Sequence, residues 1–333
     1  MKIVSNREEC ETMIGGLKDS ILNAFSFKKL LNTHYSPDAY LFCVEGEDLM
    51  PLVVKNGKVT TFGGTRHNAA NKLPENARLI NAALDYICDN SHALQMVSLK
   101  NDPFRFLASR HRSFDVPYKV EWHFCKIHQY QEDDLMEGLS GKKLWSWKRI
   151  LRNKSLYQAA TISFEEFEEK FPAIMQAHNA YFEGREKGSV WKDSEILLLE
   201  ILRHFNQSHN LEIRTISKDG ILHAIYTLVH SKNEMIYYFG GSLMQGDHYI
   251  SKVMYLDLLQ NAREIAVTHG IMDLNGLAGA FTNKPAFRFS PSPLYAIVND
   301  PEWKTMPDPD LEPGLYRQVY GRNFGCFEKE NVD

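Results

Sequence analysis

The stretch MIYYFGG, residues 235–241, decides the fold of this chain together with the helix and strand that follow it. Met235 to Phe239 is rich in aromatic and branched residues, which favour a β-strand, and the two glycines predict a turn at its end. Apolar residues recur at helical spacing through Ile250–His269, and Gly270 predicts the end of that helix. Ile271–Asn275 is predicted to be a second strand. A strand, a glycine turn, a helix and a strand form a unit of the kind that binds ligands at strand ends.

An earlier part of the chain resembles this unit. VKNGKVTTFGG at 54–64 and SKNEMIYYFGG at 231–241 are identical at five of eleven positions. A helical pattern over Pro74–Cys88 follows the first of them, and a strand pattern follows each glycine turn at the same spacing, at Leu94–Leu99 and at Ile271–Gly276. The two halves of the chain are therefore predicted to be copies of one domain.

Each copy is predicted to contain a three-stranded antiparallel meander that leads into a helix. The six strands are Tyr40–Val44, Leu49–Val54, Lys58–Phe62, Leu211–Ile216, Ile221–Val229 and Met235–Phe239. Meanders that feed helices predict an α+β fold. We expect one domain at 1–135, a second at 136–300, and a proline-rich extended tail at 301–333.

Composition narrows the class of protein. The chain has 333 residues, 44% of them hydrophobic, which is enough for two domains with proper cores. A formal charge of -4 implies no global attraction to nucleic acid, and we expect no DNA partner.

The sequence predicts neither export nor membrane insertion. The N-terminal stretch lacks the apolar segment of a signal peptide, and no apolar run is long enough to span a membrane. Five cysteines without a CxxC pair favour reduced thiols, so we expect a cytoplasmic protein without integral membrane association. Its oligomeric state is left open.

Two helices of the second copy carry special signals. A basic run from Lys142 to Lys154 contains no acid, and its apolar residues lie on one stripe, which predicts a basic amphipathic helix. Its lysine and arginine side chains either form a solvated helix face or contact phosphate groups. Further on, Ser163 and Glu166 predict a capping box at the start of a helix, and Pro172 predicts that this same helix kinks or ends.

These segments resemble the GNAT acyltransferase fold, present twice. The second copy is similar to the FemABX-like and the cellulose-biosynthesis-type (CelD/BcsL) acetyltransferase families. The resemblance rests on KKLWSWKRILRNK, on the DGxxxA segment from Asp219 to Ala224, on YYFGG, and on MDLNGLAGAFTNKPAFRF, in which Lys284 and Phe287 match a common lysine and aromatic residue. In the first copy, PLVVKNGKVTTFGG resembles the corresponding segment.

The resemblance implies an amide-forming acyltransferase and leaves its donor open. We favour an N-acyltransferase that moves an acyl group from a thioester, either CoA or an acyl carrier protein, to an amine of a small molecule or of a cell-envelope or natural-product precursor. SLMQGDHYISK lacks the glutamine- or arginine-led glycine loop that holds the CoA pyrophosphate in ordinary GNAT enzymes. FemABX-type enzymes use aminoacyl-tRNA, which is therefore the alternative donor. A non-catalytic binding or scaffold protein is the third alternative. We expect no tightly bound cofactor, with acyl-CoA or aminoacyl-tRNA as co-substrate.

The candidate catalytic residues belong to the second copy. Asp273 and Asn275 stand where the first copy has Met96 and Ser98, which predicts that the second copy is catalytic and the first degenerate. Asp273 or His248 would accept the proton of the amine, and Tyr238 would protonate the leaving group. Asp247 is predicted to cap the helix at Ile250–His269.

The remaining candidates would bind substrate or donor. They are Tyr237, Ser242, Lys252, Asn275, Lys284 and Phe287 in the second copy, Lys148 and Arg149 in the basic helix, and Arg66 and His67 after the first glycine turn. Tyr237 and Tyr238 are neighbours on a strand and should face opposite sides. His123, Cys125 and His128 are metal-ligand types, but no fourth ligand lies near them, and we predict no metal site.

Overall fold

The computed structural model describes residues 1–14, 21–22, 25–61, 76–90, 93–98, 119–183, 191–192, 194–278 and 286–298. The chain forms two compact units. Unit 1 comprises Met1–Val120 and Pro293–Asp333, and unit 2 comprises Glu121–Ser292. The division thus falls at Val120, whereas we expected it near residue 135. The expected tail at 301–333 lies outside the described residues.

Unit 1 is built on a meander. Its strands are β1 (Lys2–Val4), β2 (Ala39–Glu45), β3 (Asp48–Lys55), β4 (Lys58–Thr61), β5 (Ala93–Ser98) and β12 (Ser290–Val298), and its described helices are α1 (Arg7–Ile14), α2 (Phe25–Tyr35) and α3 (Ala77–Asp89). β1 to β4 pair antiparallel in order, β5 runs parallel to β4, and the last residues of β12 pair antiparallel with β5.

One face of this sheet is covered by α3. The Asn76 side chain accepts a hydrogen bond from the Leu79 N–H and so caps the helix, as asparagine does at an N-cap. Leu79, Leu84 and Ile87 of α3 are fully buried against the apolar residues of β2 and β3. The alternation of strand side chains places a second, smaller cluster around Phe42 and Val53.

Unit 2 repeats the same order of elements. Its strands are β6 (Lys119–Cys125), β7 (Gln158–Ile162), β8 (Asn210–Lys218), β9 (Ile221–His230), β10 (Met235–Ser242) and β11 (Leu274–Ala278). Its described helices are α4 (Gly141–Lys154), α5 (Phe164–Glu183), α6 (Glu195–Ser208) and α7 (Ile250–His269). β7 to β10 pair antiparallel in order, and β11 runs parallel to β10 and antiparallel to β6. In both units, then, a meander is followed by a helix and a parallel strand, as the repeat predicts.

The core of unit 2 lies mainly between the sheet and α7. Residues of α7 such as Val253, Leu256 and Leu259 are buried against alternate residues of β9, among them Tyr226 and Leu228. The helix ends at Gly270, which has φ 71° and donates its N–H to the Ala266 carbonyl. No helix in the described part of the chain is long and apolar enough to cross a bilayer.

Two local features of unit 2 differ from expectation. α5 does not end at Pro172, because Phe171, Ile174 and Met175 around it are buried and this packing outweighs one missing N–H donor. The strand after α7 is predicted from Ile271 but begins at Leu274, so Asp273 precedes it.

Candidate active site

β10 and β11 lie side by side only at their beginnings. Met235 pairs with Leu274 and Ile236 with Asn275, after which β11 continues along β6 while β10 continues along β9 as far as Ser242. The backbone pairing of these two parallel strands thus ends after two residues, and we call the point where it ends the opening between β10 and β11. Backbone N–H groups along such an edge can donate to a substrate carbonyl.

The middle of β10 is irregular next to this opening. Its pairing with β9 shifts between Tyr237 and Phe239, which is a β-bulge. The Thr227 hydroxyl closes the bulge, since it accepts from the Phe239 N–H at 3.0 Å and lies 3.2 Å from the Phe239 carbonyl. A Cβ at Gly240 would lie 2.6 Å from the Ile225 carbonyl oxygen, so this position requires glycine.

The two tyrosines of β10 face opposite sides, as predicted. Tyr237 points towards α7, where its ring meets Tyr255 edge-on at 6.0 Å. Burial raises the pKa of Tyr237 well above its usual value. Tyr238 points towards α5 and α6 and packs against Phe205 at 4.9 Å and Trp191 at 6.1 Å.

An aromatic cluster on the α7 side brings three predicted residues together. Phe287 stacks on Tyr255 at 4.9 Å and meets the Trp147 edge at 5.2 Å, so Tyr237 and Phe287 share Tyr255 as a neighbour. The Lys252 ammonium lies 6.0 Å from the centre of the Trp147 ring. This cluster is mostly buried, and Lys252 adds a cation beside it.

On the other side, the end of β10 meets α5. His178 of α5 is buried, and its ring lies 3.5 Å from the Cβ position of Gly241 and 5.2 Å from the Phe239 ring. Burial lowers the pKa of His178 to about 4, so its imidazole is neutral at pH 7. Ser242 is buried, and its hydroxyl oxygen has no hydrogen-bond partner among the described residues.

The loop between β10 and α7 is organised by Asp247. Its carboxylate accepts hydrogen bonds from the N–H groups of Tyr249 and Ile250, at 2.9 and 3.1 Å, and so caps α7 as predicted. The Tyr157 hydroxyl lies 2.7 Å from Oδ2 and 2.9 Å from Oδ1, so its one proton is shared between the two oxygens, and the Nδ1–H of His223 donates to Oδ2 at 2.8 Å. Burial raises the pKa of Asp247, but these hydrogen bonds outweigh burial and hold the pKa below its usual value. The carboxylate therefore occupies the amides at the start of α7, which could otherwise hold a phosphate.

A second polar network joins α7 to the sheet. Asp257 of α7 accepts from Arg214 Nε and Nη2 at 3.0 and 3.1 Å and from the Tyr226 hydroxyl at 2.6 Å. A two-pronged guanidinium–carboxylate pair fixes both partners in direction as well as distance. The network holds α7, and with it the loop that carries Asp247, at a fixed position on β8 and β9.

The two candidate proton acceptors differ in their surroundings. The Asp273 carboxylate is paired with Lys126, whose Nζ lies 2.8 Å from Oδ1 and 3.1 Å from Oδ2. His248 is exposed and forms no hydrogen bond with any residue that the structure describes. Asn275 is used locally, because its Oδ1 accepts from the Leu277 N–H at 2.9 Å.

The basic helix presents the other two donor-binding candidates. Lys148 and Arg149 of α4 are both exposed, and the Arg149 guanidinium lies 5.2 Å from the centre of the Tyr249 ring. Lys284, Arg66 and His67 lie outside the described residues.

Two residues of this site could not be found from the sequence. Tyr157 precedes β7 and His223 lies on β9, so neither is near Asp247 in the chain. The DGxxxA segment contains His223, but nothing in it indicates a carboxylate partner. The successive pairing of β7, β8, β9 and β10 brings the residue before β7, the residue on β9 and the loop after β10 together.

The architecture is shared with proteins of known structure. FemX superposes with a TM-score of 0.55 at 10% identity, over 91% of this chain and 99% of that chain. L-PGS from Bacillus licheniformis gives 0.52 at 13% identity, over 96% and 98%. The C-terminal domain of a proposed lysylphosphatidylglycerol synthetase from Agrobacterium fabrum gives 0.50 at 13%, over 96% and 97%. Neither a protein-family model nor a curated protein sequence matches the chain. The chain therefore shares the fold of FemX, which is the GNAT-like fold expected from the sequence.

Proposed function

We propose that unit 2 transfers an acyl or aminoacyl group to an amine and forms an amide. The observation that carries this proposal is the opening between β10 and β11, beside a bulged strand whose backbone can donate to a carbonyl oxygen. The GNAT-like fold supports the same chemistry. Unit 1 would then be a degenerate copy.

The reaction needs few groups from the protein. The amine nitrogen attacks the donor carbonyl, a C–N bond forms, and the C–S or C–O bond to the donor breaks. One proton passes from the amine to the leaving sulfur or oxygen, so the fold mainly positions the reactants. We assign the role of proton acceptor to His248 in preference to Asp273, because the Asp273 carboxylate is paired with Lys126. One of the two tyrosines of β10 donates to the leaving group.

The N-terminus of α7 helps to choose between the candidate donors. Because Asp247 already fills the amides of Tyr249 and Ile250, a CoA pyrophosphate has no vacant helix terminus there. This favours a second candidate, transfer of an aminoacyl group from tRNA. One structural neighbour is named as the C-terminal domain of a proposed lysylphosphatidylglycerol synthetase.

The test is to supply acyl-CoA, an acyl carrier-protein thioester and charged tRNA separately, each with a panel of amines, and to detect the amide by mass spectrometry. Product from any donor supports amide formation, and the productive donor selects between the two candidates. No product and no donor binding would favour the alternative of a non-catalytic scaffold.

Variants then assign the proton transfers. We expect Tyr237→Phe or Tyr238→Phe to lower kcat at least about a hundredfold, which is the usual contribution of a general acid. His248→Ala should lower kcat. Lys170→Ala, which changes an exposed residue paired with Glu166, is the matched control and should leave kcat unchanged.

A further inference from the structure

The exposed face of α4 is basic along its whole length. Lys142, Trp145, Arg149 and Arg152 recur at intervals of three and four residues, which places them on one stripe, with Lys148 beside them. All five side chains are exposed, and α4 contains no acidic residue. Lys154 differs, because its ammonium is bound by Glu132 at 2.7 Å and Gln260 at 3.0 Å.

The Arg149 side chain lies close to two aromatic rings on this face. The Arg149 guanidinium lies 5.4 Å from the centre of the Trp145 ring and 5.2 Å from the centre of the Tyr249 ring. Trp145 is 58% exposed, a large fraction for the largest apolar side chain. We call Trp145, Arg149 and Tyr249 the stacking platform.

We propose that the stacking platform binds the nucleotide end of the donor, with a base stacked on Trp145 and phosphates held by Lys148, Arg149 and Arg152. Bases stack on aromatic rings and on guanidinium planes, and cations beside them bind the backbone phosphates. This inference rests on the proposed function in one respect, which is that the nucleotide belongs to an acyl or aminoacyl donor. The same chemistry is offered by the nucleotide of CoA and by the terminal nucleotides of tRNA.

Two observations favour this occupant over an anionic membrane. Of the apolar residues of α4, Trp147 and Ile150 are buried in the core of unit 2, Leu144 and Leu151 are half-buried, and Trp145 alone is exposed. A helix that binds membranes needs a whole apolar face for that purpose. At the start of α7, the amides of Tyr249 and Ile250 already donate to the carboxylate of Asp247, which leaves the cations of α4 as the better phosphate contacts.

The experiment measures binding by the full chain to three probes at two salt concentrations. The probes are 3′-phospho-ADP, an RNA hairpin with the single-stranded end of a tRNA acceptor stem, and vesicles of phosphatidylglycerol and phosphatidylcholine. Trp145→Ala removes the stacking surface, Arg149→Lys keeps the charge but loses the plane, and Lys148→Ala removes one cation. Lys170→Ala on α5 is the matched control for loss of an exposed charge.

We expect Trp145→Ala to weaken binding of the nucleotide probe between about fivefold and about a hundredfold, and Arg149→Lys to weaken it without changing its salt dependence. Lys148→Ala should lower the log–log salt slope of RNA binding by about 0.7 to 0.9. Binding of 3′-phospho-ADP identifies CoA as the source, and binding of RNA alone identifies tRNA. Binding of vesicles but of neither nucleotide probe would overturn the proposal, as would nucleotide binding that Trp145→Ala and Arg149→Lys leave intact.

This outcome is separable from that of the proposed function. Nucleotide binding at the platform without amide formation would retain the platform and reject acyl transfer. Amide formation together with nucleotide binding that the platform variants leave unchanged would retain acyl transfer and reject the platform.

Discussion

At the scale of single residues, position 240 requires glycine because two strands approach each other closely there. Its Cβ position lies 2.6 Å from the Ile225 carbonyl oxygen and 2.7 Å from the Tyr226 Cα, and neither backbone atom can move without disturbing β9. We expect Gly240→Ala to lower the free energy of unfolding by about 3 kcal/mol. Tryptophan fluorescence in urea measures this, since four of the five tryptophans lie in unit 2.

Gly246→Ala is the matched control for that variant. Gly246 also has a positive φ, 82°, but no atom lies within 4 Å of its Cβ position. Its substitution should cost only about 1 kcal/mol, which is the conformational penalty alone. If both variants lost the same free energy of unfolding, the close approach of β9 to Gly240 would contribute nothing to the cost.

Asp247 makes stability depend on pH. Because its folded-state pKa is lowered, its contribution is present above the ordinary aspartate pKa of about 3.9 and is lost as the pH falls through the folded value. Asp247→Asn should therefore cost about 2 kcal/mol at pH 7. The difference from the wild type should shrink below about pH 4.

Urea unfolding of both proteins at pH 7 and at pH 3 measures this difference. Asp219→Asn is the control, because Asp219 is exposed in the turn between β8 and β9 with φ 52°, a conformation that asparagine tolerates. If Asp247→Asn changed the free energy of unfolding equally at both pH values, this would contradict an ionised Asp247 in the folded state.

At the scale of elements, α5 tolerates a proline because of what surrounds it. Pro172 is exposed and provides no N–H for the carbonyl of Glu168, while its neighbours Phe171 and Ile174 are buried. We expect Pro172→Ala to stabilise unit 2 by up to about 3 kcal/mol, since the missing hydrogen bond can then form. The midpoint of urea unfolding should rise.

The neighbouring position provides the control. Ala173 is also exposed, and Ala173→Gly should lower stability by about 1 kcal/mol through helix propensity alone. A Pro172→Ala variant no more stable than the wild type would mean that α5 has already adjusted its backbone to the proline.

At the scale of the whole molecule, each unit has its own core. Leu84 of α3 and Leu259 of α7 are both fully buried, each in the helix that follows its meander. We expect Leu84→Ala to speed amide hydrogen exchange in α3 and β2–β4, and Leu259→Ala to do so in α7 and β8–β10. Each cavity should cost about 3 kcal/mol. Hydrogen exchange read by mass spectrometry gives both responses, and a single set of peptides responding to both variants would contradict separate cores.

The sequence by itself determined the features that depend on neighbouring residues. Helical spacing located α7 from Ile250 to His269, Gly270 marked its end, and Asp247 marked its cap. Alternation separated Tyr237 from Tyr238, and the repeated KN and FGG residues indicated two copies of one meander. Periodicity, capping and turn geometry act over a few residues and can therefore be recognised in the chain.

Tertiary structure alone decided which distant groups meet. The pairing of the strands brings Tyr157 and His223 to Asp247, and β11 begins at Leu274, so Asp273 precedes it. Burial of Phe171 and Ile174 carries α5 through Pro172, and the turn of α4 places Arg149 close to Trp145 and Tyr249. These outcomes depend on packing between segments far apart in the chain, and local propensity contains no information about such partners.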